Sequence, residues 1–92
     1  KAGVTGLVRS AAVDYATSGI RVNAILPGRT ETPMAARIRG ANIPALGGPR
    51  PLPMERGAQP FEIATSAVWL LSDQASYITG ASLSVDGGMA IA

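Results

Sequence analysis

Apolar side chains recur at Val4, Leu7, Val8, Ala11, Ala12 and Tyr15. That i, i+3, i+4, i+7 spacing gathers side chains on one face of an α-helix. A helix is therefore predicted from Lys1 to Thr17, with Gly19 as the left-handed residue that ends it. The run Ile20 to Leu26 is β-branched and mostly apolar on both faces, which suits a strand in a parallel sheet covered on both sides. Pro27-Gly28 stops it. A second helix is predicted from Pro60, at its first position, to Ser72. Glu62 lies in its first turn, where negative charge suits the helix dipole, and Ile63, Ala64, Ala67, Val68 and Leu71 line one face. A polar turn from Asp73 to Ser76 leads through Tyr77-Ile78-Thr79-Gly80 to a short strand. There Leu83 and Val85 alternate with Ser82, Ser84 and Asp86 before Gly87-Gly88.

Residues 33–60 differ in character, holding six of the seven prolines and four glycines. Met34, Ile38, Ile43, Leu46, Leu52 and Met54 are scattered among them. One or two helical turns are expected around Pro33 to Arg39. Connections longer than about 15 residues inside a compact domain tend to be lids or binding loops. A linker is the alternative, but the apolar content is high for one. The order helix, strand, lid, helix, strand contains one strand–crossover–strand unit of a parallel sheet. Two strands cannot make a stable doubly covered sheet, so the expectation is that further strands belong beside them.

Composition points the same way. Of the 92 residues, 47% are hydrophobic and only 15% charged, where about 25% charged is usual for a globular chain. This resembles the interior of a larger body, and it excludes disorder, which needs few apolar residues and high net charge. The first residue is Lys1 rather than Met, so the chain is expected to be part of a longer protein. No charged segment followed by an apolar stretch suggests a secretory signal. The longest apolar run, Ala67 to Leu71, is far shorter than a membrane span. A cytoplasmic location without membrane insertion is therefore expected.

The net charge is +2 and the pI near 9.7, but the basic residues are scattered. Arg37 and Arg39 form the one close pair, with no basic run or interleaved aromatics, so nucleic-acid binding is not expected. Absence of Cys and His removes thiolate chemistry, the commonest general base and the commonest metal ligands. No metal site is expected. Chemistry here falls to Lys, Tyr, Ser, Thr, carboxylates or backbone groups.

The segments KAGVTGLVRSAAVDYATSGIRVNAILPGRTETPM and EIATSAVWLLSDQASYITGASLSVDGG resemble the C-terminal third of a classical short-chain dehydrogenase/reductase. Four elements carry the resemblance in order. They are the helix beginning at Lys1, the R-V-N…P-G strand end, the T-P-M opening of the lid and the I-T-G…V-D-G-G terminal strand. Residues 35–55 match least. The resemblance implies an α/β fold in which residues 1–92 are the C-terminal part of one Rossmann-type NAD(P)-binding domain, a doubly wound parallel sheet, incomplete as given. Residues 33–60 would be its substrate lid.

In that family a Tyr-x-x-x-Lys motif performs the acid–base work, and Lys1 aligns with its Lys. A Tyr four residues earlier would lie one helical turn away on the same face. The family role of the Lys is to hold the nicotinamide ribose hydroxyls and to favour the phenolate of the Tyr by its positive charge. Pro27 and Gly28 end a parallel strand, where open α/β sheets place ligands. By resemblance this corner lies beside the nicotinamide, with the Thr30 backbone and the Thr32 hydroxyl meeting its carboxamide. Position 30 departs from the family's usual Ile or Val, a change that a backbone contact tolerates. Met34 and Ile38, with Ile43, Leu46, Leu52 and Met54, are candidate lid residues over an apolar substrate, and packing against the body is equally compatible with them. Tyr15 and Tyr77 have Gly19 and Ala81 four residues on instead of Lys, which assigns them structural roles. A solvated Arg29 is favoured over one at a cofactor phosphate.

The family's Gly-rich phosphate-binding turn, its Ser and its Tyr are all expected upstream of Lys1. The implied function is NAD- or NADP-dependent interconversion of a secondary alcohol and a ketone, the fragment alone being inactive. The partners implied are a small-molecule alcohol or ketone and further copies of the chain, as a homodimer or homotetramer. The alternative is a non-catalytic member or fragment of the family kept as an oligomerisation surface, with the first helix and the last helix-strand pair, Trp69 included, as contacts.

Overall fold

The computed structural model describes residues 2–34, 36–37 and 52–92. Helix α1 spans Ala2–Tyr15 and continues as a 3-10 turn over Ala16–Ser18. Gly19, at φ +76°, closes it by donating its N–H to the Ala16 carbonyl, and Ile20 N–H returns to Tyr15. Strand β1 is Ala24–Pro27, helix α2 is Pro60–Leu71 and strand β2 is Ser82–Val85. The strands pair in parallel, Ala24 opposite Ser82 through to Pro27 opposite Val85. The order α1, β1, α2, β2 is thus the expected crossover unit, joined by a helix as parallel strands require.

Strand β1 is shorter than the seven residues expected and lies further along the chain. The reason is that before Ala24 the regular ladder gives way to side-chain bonds and one backbone bond. The Asn23 amide donates to the Ile78 carbonyl at 3.1 Å and accepts from Ala81 N–H at 3.0 Å. Val22 N–H donates to the Thr79 hydroxyl, and Gly80 N–H to the Val22 carbonyl. Arg21 spans the Ile78 and Ser72 carbonyls. Pro27 is the strand's last residue rather than the residue after it. Ala24 and Gly28 donate their N–H groups to Ala81 and Val85, so donors toward β2 fall on even positions. Pro27 sits on an odd one and leaves no ladder bond unmade.

The described core is small: Ala12, Ala24, Leu70 and Ala75. The apolar face read for α1 is only partly used. Ala12 is buried and Val8 and Ala11 half-buried, while Val4, Leu7 and Tyr15 are exposed. On α2 the packed seam is Ile63, Ala67 and Leu70, rotated from the predicted face, because Ala64, Val68 and Leu71 are exposed. The helix is apolar on several sides, and periodicity alone does not choose among them. No helix among the described residues is long and apolar enough to cross a membrane.

Candidate functional site

The carboxyl ends of β1 and β2 meet the chain returning from the expected lid. After Pro27, Gly28 passes so close to β2 that a Cβ there would lie 2.7 Å from the Asp86 Cβ and 2.8 Å from its Cα. The close approach that glycine permits at this corner is therefore made, within the described residues, to Asp86. Asp86 in turn caps the last turn of the chain, accepting the N–H groups of Gly88 and Ala90 at 3.0 Å each. Gly87 and Gly88 both have positive φ, as a turn at these positions requires.

Beyond Gly28 the chain makes a parallel bridge, Thr30 opposite Ala58. Ala58 N–H donates to the Arg29 carbonyl at 2.9 Å, and Glu31 N–H donates to the Ala58 carbonyl at 2.7 Å. In a parallel pairing those bonds belong to the residues flanking Thr30. The N–H and C=O of Thr30 itself are left facing away from Ala58. Its hydroxyl donates to the Gly28 carbonyl at 3.3 Å, which pins the side chain against the strand end. The Thr32 carbonyl accepts from Ala36 N–H at 3.0 Å and so opens a helical turn at the expected place. Met34 is exposed. Lys1 and Ile38 lie outside the described residues, as do Ile43 and Leu46 of the expected lid.

The end of the predicted lid span is tied to the body. Met54 N–H donates to the Gly87 carbonyl at 3.2 Å, and Pro53 packs on Gly88. Gly57 is buried, with the Glu31 carboxylate and the Arg29 Nε where a Cβ would point. Arg56 grips Glu62 with two bonds, 2.8 and 2.9 Å. Glu62 also accepts the Gln59 N–H at 2.8 Å at the start of α2, half of a capping box. The Arg56 bond, then the Gln59 N–H, hold the Glu62 carboxyl down at about 2, and the same pairing raises Arg56 above its ordinary value. A half-open groove of about 490 Å³ runs here between Arg29, Arg56, Met54 and the Val85–Gly88 turn.

Sequence reasoning located Pro27, Gly28, Thr30 and Thr32 at one corner, and the structure brings the first three together at the end of β1. It missed Ala58 and Arg56. Neither carries a local signal, since the pairing of residue 58 with residue 30 is a property of the fold. Glu62 was legible as a helix-start residue, but its partner was not.

The family profile described as Enoyl-(Acyl carrier protein) reductase matches residues 1–90. The chain is 51% identical over 88 residues to the cis-4-hydroxycyclohexanecarboxylate dehydrogenase of Sinomonas cyclohexanicum, covering 96% of this chain and 34% of that protein. It is 46% identical over 91 residues to the 3beta-hydroxysteroid dehydrogenase 1 of Eggerthella lenta, covering 99% of this chain and 35% of the relative. The chain thus spans about a third of the length of these relatives. Among solved structures it is similar to a putative 2-deoxy-d-gluconate 3-dehydrogenase from Agrobacterium tumefaciens with bound NADP. The TM-score is 0.86 at 38% identity, over 98% of this chain and 37% of that one. Family profile, sequence and fold agree along nearly the whole chain: the chain belongs to the short-chain dehydrogenase/reductase family.

Proposed function

We propose that the full-length protein interconverts a secondary alcohol and a ketone by hydride transfer, using NAD or NADP. The observation that carries this reading is the corner after β1. There the Thr30 N–H and C=O face away from the Ala58 ladder, at the carboxyl end of parallel strands, where open α/β sheets bind nucleotides. A carboxamide needs one donor and one acceptor close together, and a backbone residue turned out of its ladder offers both. The nicotinamide, when bound, supplies or accepts the hydride.

Within this reading Thr30 holds the carboxamide through its backbone, and Thr32 adds a hydroxyl. Pro27 and Gly28 bring the chain to the ring, while Met34 and Ile38 cover the substrate side. Lys1 holds the ribose hydroxyls and lowers the pKa of a Tyr one helical turn upstream, which exchanges the proton with the substrate oxygen. The two relatives named above are called dehydrogenases of a hydroxycyclohexanecarboxylate and of a hydroxysteroid. An alicyclic secondary alcohol is therefore the substrate class proposed, acted on by a homodimer or homotetramer.

The test is a hydride-transfer assay of the full-length protein with cyclohexanols and steroid alcohols, each with NAD and with NADP. Reduced-nicotinamide formation with one of the cofactors is the expected result. No turnover and no cofactor binding would overturn it and leave the non-catalytic, oligomerising reading in its place.

A further inference from the structure

We infer that the Arg56–Glu62 pair is a positioning device for the Thr30 backbone, acting through the two peptide groups that flank Ala58. The inference rests on the proposed contact between Thr30 and the nicotinamide carboxamide.

The argument is one of rigid planes. A peptide group is planar, so fixing its carbonyl fixes the direction of its N–H. In the Gly57–Ala58 peptide, the Gly57 carbonyl accepts from Arg56 Nη1 at 3.3 Å, and the Ala58 N–H donates to the Arg29 carbonyl at 2.9 Å. In the Ala58–Gln59 peptide, the Gln59 N–H donates to Glu62 Oε2 at 2.8 Å, and the Ala58 carbonyl accepts from Glu31 N–H at 2.7 Å. Each plane therefore has one end on the ion pair and the other on a neighbour of Thr30. The pair itself is two-pronged, a geometry that restricts rotation as well as distance. Gly57 is buried, and the Glu31 carboxylate and the Arg29 Nε fill the space that a side chain there would need.

Helix capping alone does not account for this arrangement. The Gln59 N–H is satisfied by one Glu62 oxygen, and a capping box needs nothing from Arg56. The guanidinium is what extends the restraint to the Gly57 carbonyl, and hence to the Arg29 side of the bridge. With both planes held, Thr30 is fixed from two sides, and its own N–H and C=O keep one direction.

The test compares full-length wild type with Arg56→Met and Arg56→Lys by calorimetric titration. The titrants are the nicotinamide cofactor that the wild type binds and the matching ADP-ribose or its 2′-phosphate, which lack the nicotinamide. Arg56→Met is expected to raise Kd for the intact cofactor about threefold to tenfold, as for loss of a positioned hydrogen bond. Affinity for the ADP-ribose ligand stays within about twofold. Lys keeps the charge but not the fork, so Arg56→Lys falls between the two and decides the matter alone if Arg56→Met does not fold. Facial fidelity of deuteride transfer is expected to fall in the same order. Equal weakening of both ligands, or no change in either, would overturn the positioning role while leaving the enzyme reading intact. A wild type that binds no nicotinamide cofactor would overturn the enzyme reading and the inference with it.

Discussion

Gly28 and Asp86 face each other across the ends of β1 and β2 with no room for a side chain between them. A Cβ on Gly28 would meet the Asp86 Cβ at 2.7 Å, its Cα at 2.8 Å and its carbonyl oxygen at 3.2 Å. Two of those three are backbone atoms of a residue that caps the chain's last turn, so the clash cannot be relieved by a rotamer change. Gly28→Ala is expected to destabilise the full-length protein by about 1–3 kcal/mol, the usual range for overpacking. Urea unfolding checks it, and a midpoint equal to wild type would show that the strand ends have slack.

Asn23 does with a side chain what the ladder does further on. Its amide donates to Ile78 and accepts from Ala81, both partly buried. Asn23→Ala leaves the Ala81 N–H without its acceptor and the Ile78 carbonyl with Arg21 as its remaining side-chain donor, a loss of about 1–3 kcal/mol. Slower amide exchange at Ala81 in wild type than in the variant is the matching local signature. Unchanged exchange there would mean that water replaces Asn23 without cost.

The legible part of this fold is the part encoded in neighbouring residues. Pro60 and Glu62 marked the start of α2, Gly19 the end of the first helical segment, and Pro27-Gly28 the end of β1, each through a local conformational or electrostatic preference. Contacts between distant residues were closed to the same reasoning. Arg21, Val22 and Asn23 looked like strand because they are flanked by β-branched residues, yet their partners are the loop at residues 78–81 and Ser72. On α2 the seam runs through Leu70 rather than Leu71, because the position of β1 selects the face. The candidate site divides in the same way: Gly28 and Thr30 stood out in the sequence, while Ala58 became visible only through its bridge to Thr30, and Arg56 through its bonds to Gly57 and Glu62.

The Glu62 carboxyl, held at about 2 by Arg56 and the Gln59 N–H, gives a pH prediction with a definite sign. Its folded pKa is below its ordinary value of 4.5, so the pairing contributes stability above that value. The contribution is lost as pH falls through about 2. Glu62→Gln should therefore be less stable than wild type at neutral pH, with the gap narrowing through the acid range. Both side chains reach solvent, so salt should shrink the difference at neutral pH as well. Denaturant midpoints as a function of pH and ionic strength check both trends. A gap that is constant with pH would assign the loss to packing rather than to charge.

Lys1 gives the sharpest catalytic prediction of the enzyme reading. In that reading its ammonium would favour the phenolate of a Tyr one turn upstream, so removing the charge would raise the pKa of that Tyr. Alcohol oxidation uses the phenolate as the base, and its rate rises with pH as the phenol ionises. Lys1→Met in the full-length protein is therefore expected to move the rising limb of the kcat/KM profile to higher pH. At neutral pH the rate should fall by about 10²–10⁴, the range for general acid–base catalysis. The proposed ribose contacts would be lost as well, so cofactor KM should rise along with the fall in kcat. A lowered rate with the limb unmoved would separate the two roles, leaving Lys1 as a ribose ligand that does not tune the proton donor.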